Sequence, residues 1–422
     1  MTRTGLGHRL RGMTGRDPNE NHRSATPLEL LYDLVFVAAF GVASDQLAHM
    51  VADGHPWEGV GGFSFAMFAI CWAWINFSWF ASAFDTNDWL YRVLSMIQMA
   101  GVIVLALGLP PMFRSLLSQE DGGHLDNKIM VAGYVIMRIA LVAQWLRAIS
   151  QAPGHRRAAL AHTSFILIAQ LGWIALAMID PPLRTVLAVF AVLILLELGG
   201  PLLAEGKAKG TPWHGAHLAE RYGLLTIVAL GEVIFGTVAS VSALVETSGW
   251  SIEAATVVIA GVGLAFGLWW NYFITPSAPI LTRHRNRAVL WCYGHLVSYA
   301  AIAATGAGLH VAAYVIEGVS SVGVVGAVVA VAVPVLLFEL CLFALYTYMV
   351  QEFDTFHILL ITATIALVIS AVFLAAAGAS IGACLIIIAL SPAIVVVGYE
   401  TIGYKHAERA LDRTLSVTDI RQ

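Results

Sequence analysis

The chain has 422 residues, of which 59% are hydrophobic and 12% charged, and its formal net charge is −4. A soluble domain carries about 25% charged residues, so this composition excludes a soluble globular protein and leaves a polytopic membrane protein. The slightly acidic balance argues against a nucleic-acid partner. The four cysteines, Cys71, Cys292, Cys341 and Cys384, sit in apolar runs without a CxxC pair and read as small buried hydrophobes.

Residues 1–25 hold Arg3, Arg9, Arg11, Arg16 and Arg23 among Gly, Asn and Pro. With no apolar core and no small-residue cleavage site, this is not a secretory signal. It reads as a flexible basic tail drawn to the anionic inner leaflet. A span needs about 20 mostly apolar residues. Twelve candidates follow, at about 27–49, 61–83, 90–110, 128–148, 157–179, 182–203, 219–245, 253–274, 287–310, 322–349, 355–377 and 380–401. The fold class is therefore all-α and polytopic. The least marked boundary follows Asp180, where "DPP" is the only punctuation, and the longest loops are predicted around 111–127 and 204–218. "LELGGP" (195–201) reads as the end of span six, with Gly-Gly-Pro as a helix stop. Residues 402–422 form a polar tail expected to fray.

With the N-terminus inside, 19 of the 23 Lys and Arg residues fall on inside segments, including Arg92, Arg147, Lys207, Lys209, Arg287 and Arg421. Only Arg114, Lys128 and Arg184 fall outside, and Arg138 is mid-span. The positive-inside rule then places both termini in the cytoplasm. "WAWINFSWF" of span two aligns with "LWWNYFITP" of span eight, putting Asn76 on Asn271, Arg92 on Arg287 and His162 on His357. A small shift puts "LYDLVFVAAFG" on "RYGLLTIVALG". The repeat is about 190 residues long. Six spans per half is an even number, so the two six-helix repeats run parallel, related by an axis along the membrane normal. The predicted layout is a basic cytoplasmic tail (1–25), a first repeat (26–203), a cytoplasmic linker (204–218), a second repeat (219–401) and a cytoplasmic tail (402–422).

Glu29, Asp33, Arg138, Glu197, Arg221, Glu232, Glu339, His162, His295 and His357 lie within predicted spans. A charge at the bilayer centre costs about 2.5–3.5 kcal/mol on insertion scales, so such groups face the interior and pair. Glu29 and Asp33 are four apart, on one helix face. Arg221 is expected at their depth, with Arg92 and Arg287 at the cytoplasmic ends of spans three and nine as further cations. Glu232 lies eleven residues beyond Arg221, about 16 Å along a helix, and mid-span Arg138 is its expected partner. Glu220 is expected to point inward beside Arg221, and Glu197 to cap a cavity or pair locally. The network is expected at the interface of the halves. It serves either a pathway or binding site, or only helix register. His214, His217 and Glu220 run along one helix face but not as HExxH, so no metal is predicted. Trp72, Trp74, Trp269 and Trp270 fit an interfacial belt or packing. No P-loop, GxSxG elbow or dinucleotide fingerprint in its strand-and-helix context occurs, which disfavours ATP-driven or hydrolytic chemistry, and no cofactor is predicted.

"TPLELLYDLVFVAAFG", "YVIMR", "LELGGP" and "HLAERYGLLTIVALGE", in that order, resemble the bacterial low-temperature-requirement A family over about residues 24–400. The resemblance marks Glu29, Asp33 and Phe36, then Tyr134 and Arg138, then Glu197 and Pro201. In the fourth motif it marks His217, Glu220, Arg221, Gly223, Gly231 and Glu232. It implies a multi-pass inner-membrane protein and no particular chemistry. The leading function is a transporter or ion-conducting protein whose carboxylates bind a proton, cation or small solute. The alternatives are an integral-membrane enzyme acting on a lipid or isoprenoid, against which no DDxxD motif occurs, and a structural stress-adaptation protein without turnover. The partners expected are membrane lipids and an ion or small molecule.

Overall fold

The computed structural model describes residues 10–20, 23–117, 124–206, 210–352 and 355–416. Arg3, Arg9, Lys207, Lys209 and Arg421 lie outside the described residues, as do parts of both tails and of the 204–218 linker. Among the described residues there are helices and no strands, and twelve helical stretches are long and apolar enough to cross a membrane.

The first six are α1 (Pro27–Ala52), α2 (Pro56–Phe84), α3 (Trp89–Leu117), α4 (Lys128–Gln151), α5 (Arg156–Ile179) and α6 (Leu183–Gly206). Local chemistry sets their ends. Pro27 and Pro56 open α1 and α2, where a missing N–H leaves nothing unpaired. Asp88 caps α3 by accepting the Tyr91 amide at 3.0 Å. Asp180, with φ 51°, closes α5 in the left-handed conformation that short polar side chains tolerate. Two helices run through predicted stops. α3 continues through Pro110 and Pro111 to Leu117, and α6 continues through Gly199, Gly200 and Pro201 to Gly206. A proline removes only one backbone donor, and in lipid an unwound turn would expose more.

The seventh span is α7 (Gly215–Ala229) and α8 (Gly231–Ser248), separated by a one-residue irregularity at Leu230. α9 (Ile252–Phe273), a short α10 (Ser277–Arg283), α11 (Ala288–Glu317), α12 (Val324–Val350), α13 (Thr355–Ala376) and α14 (Ile381–Gly398) follow. α14 passes through one turn of π-helix, Tyr399–Gly403, into α15 (Tyr404–Ser416). α15 was expected to fray. Instead it packs on α10 and α12, with Thr414 accepting from His284 and donating to Val350 through their backbone or ring atoms at 2.7 and 3.1 Å.

By contact density the chain divides into two compact units. One is Met1–Ala39 with Phe68–Arg221; the other is Phe40–Met67 with Tyr222–Gln422. In the first, α3 packs on α4, α4 on α5 and α5 on α6; in the second, α11 packs on α12, α12 on α13 and α13 on α14. The first unit is built around the aromatic half of α2: Trp72, Trp74, Phe77 and Phe80 are fully buried. A helix apolar on every side belongs in a core. Trp72 and Trp74 are thus not part of an interfacial belt, whereas Trp269 and Trp270 are exposed.

The segment before α1 also departs from expectation. Residues 10–20 are pinned rather than free. Met13 donates its amide to Gln151 Oε1 at 2.8 Å, the Arg16 amide bonds Ala83 O at 2.9 Å, and the Arg11 amide bonds Asp88 Oδ2 at 3.1 Å. Met13 is buried. Arg147 ties Asp88 to the Arg11 carbonyl. Burial opposes the charge on Asp88, but hydrogen bonds from Arg147 and from the Tyr91 and Arg11 amides hold its carboxyl well below the usual range. Neighbouring Asp85 lacks such donors in number, and burial, with Glu29 nearby, pushes its carboxyl up to about 6.

Candidate functional site

Glu29 and Asp33 lie one turn apart on α1 and both meet Arg221 of α7. Arg221 Nη1 is 2.8 Å from Glu29 Oε1 and Nη2 is 2.5 Å from Asp33 Oδ1. Trp74 Nε1 donates to the same Asp33 oxygen at 2.7 Å, and the guanidinium lies 5.5 Å from the Trp74 ring centroid. His217, one turn before Arg221, brings Nε2 to 3.3 Å from Glu29 Oε1. All four ionisable side chains are at 0% exposure. Asp33 Oδ2 has no hydrogen-bond partner among the described residues.

Glu29 has a second role that the sequence reading missed. Thr26 donates its amide to Glu29 Oε2 at 2.8 Å, and the Glu29 amide donates back to Thr26 Oγ1 at 3.3 Å. This is a capping box, legible as the T-x-x-E of "TPLE". The other expected cations have contacts of their own. Arg92 is exposed and donates to Asn87 Oδ1 at 2.9 Å, and Arg287 donates to the Met349 carbonyl. Arg23, just before α1, is taken by Glu20 at 3.6 Å and by the Ala81 and Ser82 carbonyls. Glu220, expected inward, is exposed: its neighbours His217 and Arg221 set the inward face of α7, and position 220 turns away from it.

A second cluster lies in the same unit. Glu197 of α6 accepts from Trp72 Nε1 at 2.8 Å, Tyr134 OH at 2.9 Å, and Gln170 Nε2 and Trp173 Nε1 at 3.3 Å. Arg138 of α4 sits 3.5 Å from its Oε2 and 2.5 Å from the Tyr134 hydroxyl. Arg138 therefore pairs with Glu197, not with Glu232 as expected. Matching depth along the chain ignored lateral neighbours, and α5 brings α4 and α6 together. Glu197, expected to cap a cavity or pair locally, is surrounded by donors from α2, α4 and α5.

In the second unit, Glu232 stands in the first turn of α8 and is 6% exposed. Small neighbours make its room. A Cβ on Gly41 would lie 3.1 Å from its Oε1, and one on Gly306 would lie 2.6 Å from its carbonyl. It has no hydrogen bond or ion pair to a described side chain. Asn271 donates Nδ2 to both oxygens of buried Glu339, at 2.8 and 3.0 Å. Asn76, the position aligned with Asn271, instead donates to the Trp72 carbonyl at 2.8 Å. His295 donates Nδ1–H to the Trp291 carbonyl at 2.8 Å, and its Nε2 lies 2.9 Å from the Tyr272 hydroxyl. Among the described residues no three His, Cys, Asp or Glu side chains converge as metal ligands.

Residues 24–392 match the family described as Bacterial low temperature requirement A protein (LtrA). The chain is also 27% identical, over 298 residues, to a protein of Rhizobium meliloti named only as uncharacterized, covering 67% of this chain and 68% of that one. The match to the family spans most of the sequence, and the chain belongs to the LtrA family.

Proposed function

We propose that this LtrA-family protein carries a proton or small cation, or a solute coupled to one, across the bacterial inner membrane, with Glu29, Asp33, His217 and Arg221 as its binding element. The observation that carries the reading is a charge imbalance. Two fully buried carboxylates face one guanidinium, and His217 is the remaining base in contact. With His217 neutral the group holds one negative charge, and a buried uncompensated charge is strongly unfavourable. A proton on His217 or on an acid cancels it; so does a bound cation. Proton and cation thus exclude each other at one place, which is the elementary requirement for exchange.

The charge bias supports cytoplasmic termini. The internal repeat gains support from one further pair at the 195-residue offset of Asn76 and Asn271: Glu205 and Glu400 each accept from a tryptophan, Trp79 of α2 at 3.2 Å and Trp270 of α9 at 3.1 Å, although these two tryptophans are not themselves in register. A purely structural role is favoured by the place of Glu29 in the capping box, and flux separates the two readings. Purified protein in liposomes is given gradients of protons, alkali cations and ammonium, with an interior pH dye. Protein-dependent flux is expected, lost in Glu29→Gln and Asp33→Asn while the folded yield is kept, because either change removes the unbalanced charge. Absence of flux under every gradient, or flux unchanged in both variants, overturns the proposal.

A further inference from the structure

We infer that the second unit holds a binding site for a single small monovalent cation, of which sodium is the type, between Glu339 and Asn271. A cavity of about 50 Å³ lies among α9, α12, α13 and α14, lined by Asn271, Thr275, Glu339, Tyr346, His357 and Tyr399 among others. One water needs about 10–15 Å³ by this measure, so the space fits an ion with a few waters and excludes a bulky organic cation. Glu339 is 1% exposed, and its carboxyl oxygens meet the Asn271 amide, with no ion pair to an Arg or Lys among the described residues. Asn271 is 6% exposed, and its Oδ1 has no hydrogen-bond partner among the described residues.

Carboxylate, amide and hydroxyl oxygens are hard donors, suited to hard cations. One carboxylate balances one positive charge, and a divalent ion such as magnesium would keep more water than the space allows. The other titratable side chains on the wall are His357, Tyr346 and Tyr399. Tyr399 opens the π-helical turn at the end of α14, a widened turn that recurs at functional sites. The corresponding position 195 residues earlier is Gln144. It is neutral and satisfied, accepting from Gln98 at 2.9 Å and donating to Ser95 at 3.3 Å. The first unit thus has at this place a closed hydrogen-bond chain, and the second has an ionisable acid.

The test is equilibrium binding of radiolabelled sodium to the purified full chain in detergent, with choline replacing sodium to hold ionic strength. One saturable sodium per chain is expected to disappear in Glu339→Gln, which installs the side chain the first unit carries at Gln144 and so is expected to fold. Asn271→Leu keeps the acid and is expected to weaken binding about tenfold. Asp33→Asn is expected to leave this sodium in place, so the result stands apart from the Arg221 cluster and from any flux. Sodium bound equally by the native chain and by a well-folded Glu339→Gln variant overturns the assignment, as does a native chain that binds none above the choline control.

Discussion

The two compact units treat their buried acids differently. In the first, Glu197 has Arg138, Asp88 has Arg147, Glu205 has His162 at 2.9 Å, and Glu29 and Asp33 share Arg221. In the second, the deeply placed Glu232 and Glu339 have no basic partner among the described residues, only space or an amide. An acid with a fixed base is a strut: it sets where two helices meet, and it resists change because separating the pair strands a charge. An acid without one must take its counter-charge from something that comes and goes. The contrast therefore sorts the acids with a base each, Glu197, Asp88 and Glu205, which hold the bundle, from those left short of one, Glu232, Glu339 and the Glu29–Asp33 pair on its single guanidinium, which can load and unload.

The largest effect is expected at Arg221, because one deletion strands two acids. Arg221→Ala is expected to destabilise the protein by about 3–5 kcal/mol or more, read as a lowered melting temperature in detergent; native-like melting would mean that the two acids do not depend on Arg221. Next comes the Arg138–Glu197 pair. In the cycle Arg138→Ala, Glu197→Gln and both together, a coupling of about 0.5–3 kcal/mol is expected, whereas Arg138→Ala with Glu232→Gln is expected to be additive. Coupling to Glu232 instead would redraw the site. Thr26→Ala removes half of the capping box and is expected to destabilise by about 1 kcal/mol, with amide exchange speeding at the first turn of α1.

A smaller effect separates Asp85 from Asp88. Burial raises the Asp85 carboxyl from 3.8 to about 6, so its contribution to stability is fully present below pH 3.8 and is lost as pH rises through 6. Asp88 has the opposite sign: its contribution is present above pH 3.8 and fades as pH falls below it. Hydrogen exchange at the Met13 and Arg16 amides, corrected for intrinsic rate, is expected to speed between pH 4 and 6. Asp85→Asn is expected to flatten that rise; an unchanged profile in the variant would assign it elsewhere.

The twelve spans were legible because hydrophobic length in lipid is a strong constraint. So was the meeting of Glu29, Asp33 and Arg221, because ionisable groups in lipid must find each other and few cations were available. The Arg138–Glu197 pair was missed because depth along a helix says nothing about which helix lies beside it. The run of α6 through Gly199, Gly200 and Pro201 was missed because a soluble-protein stop signal is weaker where water cannot take up the freed backbone. The pinned segment before α1 was read as a tail from its arginines, yet its order comes from backbone bonds, to Ala83 and Gln151, that composition does not encode. Glu339 was visible as an intramembrane acid, but nothing in its own neighbourhood pointed to Asn271, 68 residues earlier.

The contrast between the units is tested most directly by three carboxylate-to-amide variants measured side by side for melting temperature in detergent: Glu197→Gln, Glu232→Gln and Glu339→Gln. Glu197→Gln strands Arg138 and is expected to lower stability by about 3–5 kcal/mol. Glu232→Gln and Glu339→Gln strand nothing, and their melting is expected to stay at or above that of the native chain. Either of those two falling as far as Glu197→Gln would contradict the division of the acids into struts and loading sites.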